Sequence, residues 1–144
     1  MAWAARTPSA AMRATSRLMG NGLLRTVERL WPQHAAVGAL RRGLSSRAVV
    51  LAVAAHACGL SPHQLARLVG YDDVQTVASA ALKLLPLDPV EATTWVLDAL
   101  PAVDALADEV GSLTRPADVP SAGAPLIEAW AESHVSAPWR LFSA

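Results

Sequence analysis

The chain has little of what usually announces a chemistry. One cysteine, Cys58, among 144 residues leaves an internal disulfide without a partner and fits a reducing compartment. Aromatic residues make up only 5%, and no stretch alternates apolar and polar residues as a strand does. No apolar run approaches the ~20 residues a membrane span needs. The longest, Ala48 to Cys58, contains His56 and follows Arg47, so it reads as a buried helix. A glycine-rich phosphate loop, a G-x-S-x-G elbow and an H-E-x-x-H pair are all missing. These absences leave no catalytic residue, cofactor site or metal set to name, and the expectation is a non-enzyme.

Acids are scarce in the first half. Through Arg67 there are nine arginines against one acid, Glu28, a formal +8, and from Leu68 onward the balance is −8. A chain so polarised can orient a charged partner. The Arg-rich, acid-free start, Met1 to Gly22, has the composition of an organelle transit peptide and equally that of an ordinary helix with solvated arginines.

What is plentiful is Ala and Leu within a 53% hydrophobic composition, and these favour helix. The punctuation predicts a first helix from about Ser9 to Trp31, with Leu23, Leu24, Val27, Leu30 and Trp31 on one face and Pro32 ending it. Gln33 to Gly43 reads as a loop or short turn. A second helix starts with Ser45 or Ser46 as N-cap and stops at Gly59, its apolar body implying cover on several sides. Ser61-Pro62-His63-Gln64 is a capped start with Pro at the first helical position. Gly70 weakens that helix, and Asp72 with Gln75 offers a second start, followed by the stripe Val74, Val77, Ala78, Ala81, Leu82 and Leu85. Asp88-Pro89-Val90-Glu91 opens another helix, whose stripe Val96, Leu100, Val103, Ala107 and Val110 runs past Pro101 with a kink. Residues 111–124 read as an internal linker. Pro125 opens a last helix, with Ile127, Trp130, Ala131 and His134 on one face, and residues 135–144 form an apolar tail. The expected fold is all-α, a single-domain bundle of about five to six helices over residues 1–144.

Two constellations compete for a function. His56-Ala57-Cys58 invites a metal, but residues two apart on a helix point to different sides, and a buried cysteine usually acts as a small hydrophobe. Asp72-Asp73, Asp104 and Asp108 read as capping and surface charge, and His63 beside Arg67 as a solvated face. Leu60 to Leu85 has the outline of a helix-turn-helix, the alternative reading being a DNA-binding module over residues 60–85. Its second helix would then present Asp72 and Asp73 to phosphate, the wrong charge for a duplex. The tryptophans are more telling, since Trp is enriched at interface hot spots. Trp31 and Trp95 suit a core, whereas Trp139 and Phe142 suit core and partner docking equally.

Three stretches in order resemble the UreF family, especially its actinobacterial members. These are Ser16-Arg17-Leu18-Met19-Gly20-Asn21-Gly22-Leu23-Leu24 with Trp31-Pro32, then Val49 to Leu87 ending in an Ala-Ala-Leu-Lys-Leu-Leu-Pro-Leu-Asp-Pro segment, and finally Pro125-Leu126, His134 and Arg140-Leu141-Phe142-Ser143. The family's Asp-Ser…Ser-x-Gly-x-Glu third has no counterpart, Val135 stands where an acid is common, and Ala144 displaces the terminal Ser. The resemblance thus implies the C-terminal two-thirds of the family domain, with the Arg-rich start as mid-domain helix. It implies an all-α homodimer in the cytoplasm, a chaperone scaffold without cofactor that bridges UreD (UreH) and the GTPase UreG to apo-urease during nickel insertion. His134, Trp139, Arg140, Leu141 and Phe142 become the candidate partner-binding residues, within a docking tail over 135–144. Nucleic acid and membrane are not among the implied partners.

Overall fold

The computed structural model describes residues 2–40, 44–121 and 123–136. Among these are seven α-helices, one 3-10 turn and no strand, so the all-helical class expected from composition holds. The helices group into two compact units, one from Met1–Cys58 with Arg115–Ala144 and one from Gly59–Thr114. No helix among the described residues is long and apolar enough to cross a membrane.

The first unit holds α1 (Ala2–Ala5), α2 (Ala10–Leu30), α3 (Ala35–Gly38), α4 (Arg47–Ala57), the 3-10 turn Pro116–Asp118 and α7 (Pro125–Val135). The serines expected as caps are caps: Ser9 Oγ accepts from Met12 N–H and Ser46 Oγ from Val49 N–H. Gly59 takes the left-handed turn after α4, with φ of 75°. The core is Leu24, Val27, Val37 and Val50, with Leu23, Trp31, Leu40, Val53 and Ala54 packed around it. Leu30, expected inside, is 61% exposed. At 100° per residue it lies about a quarter-turn from the arc of Leu24, Val27 and Trp31. The segment read as a loop contains α3, which delivers Val37 to the core. Cover on several sides was expected for α4, but within its unit it packs chiefly on α2 and α3. Val50 and Ala55 are therefore buried and Val49 is exposed.

The motif around Ser16 and Gly20 has a concrete structural use. Ser16 Oγ accepts the Arg47 N–H at 3.2 Å, taking up one of the free donors at the start of α4. One turn later, a Cβ on Gly20 would collide with the Ser45 carbonyl oxygen and come within 2.9 Å of the Ser46 carbonyl carbon. Only glycine lets α2 and the α4 start approach this closely, and that approach closes the core over Leu24 and Val50.

The second unit is a helical hairpin of α5 (Pro62–Leu84) and α6 (Pro89–Val110). Ser61 and Gln64 form the full capping box, and Asp88 Oδ1 accepts the Val90 N–H at 2.8 Å. Helix α5 runs without a break, which removes both the second start at Asp72 and the helix-turn-helix over residues 60–85. Gly70 is no turn. Its missing Cβ would meet Val103 Cγ1 at 2.9 Å, so it marks the closest approach of the two helices. The seam is built of small residues, Ala78, Ala92 and Val96 with Val74 against them. A single covering helix buries only a narrow stripe, so Val77, Leu82 and Leu85, expected on the buried face, are exposed. On α6 the expected stripe is the inner one, with Val96, Val103 and Ala107 buried, and the helix continues through Pro101.

Candidate functional site

Charged pairs staple the hairpin. His63 Nε2 lies 2.9 Å from Asp108 Oδ1, and Arg67 Nε donates to Asp104 Oδ1 at 2.5 Å. By sequence alone these four side chains read as solvated or capping charge. The missed signal was spacing: residues four apart on one helix face residues four apart, with opposite charge, on the next. Gly111 lets the hairpin close at this end, since a Cβ there would sit 3.1 Å from His63 Cα.

The most organised polar contact of the first unit ties the last helix to the start of α2. Glu132 Oε1 accepts the Ser9 hydroxyl at 2.6 Å and the Ala11 N–H at 2.9 Å, while Ser9 Oγ accepts the Met12 N–H at 3.1 Å. A helix N-terminus has unused N–H donors and a positive dipole end, so a carboxylate is favoured there. The Ser9 hydroxyl, then the Ala11 N–H, hold the Glu132 carboxyl below its usual range. A crevice of about 370 Å³ opens beside the contact, lined by Pro8, Ser9, Ala10, Glu128, Ala129 and Glu132. The N-terminal arginines brace the same region. Arg6 donates to the Val119 and Ala117 carbonyls, and Arg13 to those of Thr7 and Pro8.

Held in this way, α7 turns its apolar side chains outward. Leu126, Ile127 and Val135 are exposed and Trp130 is 66% exposed. Ile127, Trp130 and His134, expected on one face, therefore form a surface rather than a core contact. His134 is exposed on the last turn of α7. Trp139, Arg140, Leu141 and Phe142 lie outside the described residues, as does most of the tail over 135–144. The sequence offered no local sign that Glu132 would cap α2 across more than a hundred residues of chain.

The His56-Cys58 pairing does not form. Cys58 is exposed, and His56 meets the His34 ring instead, edge-on with centroids 5.4 Å apart. Among the described residues no three of His, Cys, Asp and Glu gather as a metal would require. Trp31 packs on the core as expected, whereas Trp95 is 40% exposed.

The structure thus defines an all-helical protein that carries outward apolar side chains on helices held by charged and capping contacts. The UreF family model matches residues 2–100, and the chain belongs to the UreF family. A urease accessory protein UreF of Mycolicibacterium vanbaalenii is 43% identical over 98 residues, which are 67% of this chain and 45% of that protein. Those of Mycobacterium sp. (strain JLS) and Mycobacterium marinum are 35% and 33% identical, each over 96% of this chain and 63% of the relative. The chain therefore spans about half to three-fifths of the length of these relatives. By name they are accessory proteins of an enzyme rather than enzymes. No solved structure matches the chain.

Proposed function

We propose that this chain works as a non-catalytic scaffold in urease maturation. In this reading it bridges the accessory protein UreD (UreH) and the GTPase UreG during nickel insertion into apo-urease, in the cytoplasm and as a homodimer. The observation that carries the proposal is the outward apolar face of α7. Leu126, Ile127 and Trp130 are exposed on a helix that Glu132 pins to α2. A large exposed aromatic beside aliphatic side chains on a fixed helix is what a partner-binding hot spot requires. Membership of the UreF family supports the choice of urease-maturation proteins as these partners.

The tail over 135–144 extends this face in the proposal. Trp139, Leu141 and Phe142 would be desolvated by a partner while Arg140 pairs with one of its carboxylates, and His134 borders the contact. Pull-down with tagged UreD and UreG tests it. Arg140→Ala and Trp130→Ala are expected to leave helicity and melting unchanged and to weaken capture about tenfold or more. Capture at wild-type strength by both variants removes this face and tail from the partner surface.

A further inference from the structure

We propose that α2 and α6 carry the two complementary halves of a self-association contact. The outward stripe of α2 in one copy would receive the outward stripe of α6 from a second copy. This rests on the homodimer proposed above and specifies its surface.

The α2 half is a groove of about 330 Å³ lined by Gly22, Arg25, Thr26 and Arg29. A Cβ on Gly22 would meet nothing within 4 Å, so the floor of the groove is open. Leu18, Arg25 and Arg29 are exposed, and among the described residues neither guanidinium meets a carboxylate. Leu18, Gly22, Arg25 and Arg29 follow one another at steps of four, three and four, the spacing of a coiled-coil seam. The stripe lies on the side of α2 opposite Leu24 and Val27, so the unit's own core does not use it.

The α6 half has the same spacing and the opposite charge. Glu91, Trp95, Asp98, Ala102, Ala105 and Glu109 alternate steps of four and three along one exposed line, away from buried Ala92, Val96, Val103 and Ala107. Glu91, Asp98 and Glu109 likewise meet no cation among the described residues. Laid antiparallel, the two lines put Arg29 opposite Glu91 and bring Trp95 and Asp98 to Arg25 and Gly22. The Trp95 ring then has the glycine notch to fill and a guanidinium to stack on, while Asp98 takes the remaining charge. Two solvated stripes, basic on α2 and acidic on α6, become a paired interface between two copies.

The test is charge reversal followed by mixing, on the full chain, with sedimentation equilibrium and circular dichroism. Arg25→Glu with Arg29→Glu gives a chain acidic on both stripes, and Glu91→Arg with Asp98→Arg a chain basic on both. Each alone is expected to self-associate at least ~10-fold more weakly than wild type, with an unchanged helical spectrum. An equimolar mixture of the two is expected to regain association, more strongly at low salt than at high. The single reversals Arg29→Glu and Glu91→Arg serve in the same scheme should a double variant not fold. Undiminished association of the variants, or a folded mixture that stays monomeric, overturns the pairing. In either case the homodimer stands if wild type associates and falls if it does not. Capture of UreD and UreG by the variants reports separately on the scaffold reading.

Discussion

Two glycines two residues apart on α2 should respond to the same substitution with opposite signs. Alanine gains about 1 kcal/mol over glycine in a helix interior, through backbone entropy. At Gly22 a Cβ enters open space, so Gly22→Ala should stabilise the chain by about that amount. At Gly20 the same gain meets the Ser45 carbonyl oxygen, the Ser46 carbonyl carbon at 2.9 Å and the Arg47 nitrogen at 3.0 Å. All three are backbone, so no rotamer change relieves the contact and the start of α4 must move outward. Overpacking costs ~1–3 kcal/mol even where side chains can yield. Displacing α4 also lengthens the Arg47 N–H to Ser16 Oγ bond and loosens Val50 against Leu24. The net expectation for Gly20→Ala is a loss of about 1–2 kcal/mol. Urea unfolding followed at 222 nm, at a concentration low enough to exclude association, measures both variants. Equal stabilisation by Gly20→Ala and Gly22→Ala would refute the close approach of α2 and α4.

Three further outcomes follow from the contacts described. Because Glu132 is held below its ordinary 4.5 by Ser9 and Ala11, its stabilisation of the α7 contact is complete above that value and is lost as the pH falls through the lower folded one. Protection of the α7 amides from hydrogen exchange, relative to the unstructured rate at each pH, should fall across that acid range and be already low at neutral pH in Glu132→Gln, and pH-independent protection would contradict the contact. Ser61→Ala, which removes the capping box of α5, should cost ~1 kcal/mol by the same urea assay, and a neutral result would show the box to be unimportant. Duplex DNA should give no salt-sensitive specific shift, since α5 is one helix with no turn at Gly70; a specific shift lost in Gln75→Ala would revive the rejected alternative.

Much of the architecture was legible because it is written in local chemistry. Ser9, Ser46, Ser61 and Asp88 are caps, Pro62, Pro89 and Pro125 sit at helix starts, and Gly59 takes a positive φ, each a signal confined to a few residues. The failures share one cause, the need to know what lies across from a residue. Gly70 reads as a helix breaker until Val103 is seen against it. Asp104 and Asp108 read as surface charge until Arg67 and His63 are opposite. Periodicity places Val77 and Leu82 near a buried face, but how wide that face is depends on how many helices cover it, and α5 has one principal neighbour. Of the candidate site, the face of α7 was visible as a pattern in Ile127, Trp130 and His134. The side chain that fixes its orientation, Glu132, meets Ser9 and Ala11 from the far end of the chain, and no local rule joins them.

Co-purification tests the central claim most directly. The tagged chain, expressed beside UreD and UreG, is expected to retain them through a wash at physiological salt. Exchanging Leu126, Ile127 and Trp130 for alanine should remove that retention while the helical spectrum is preserved. Failure of the folded wild-type chain to retain either partner, under conditions in which a full-length mycobacterial UreF retains both, would contradict the scaffold reading.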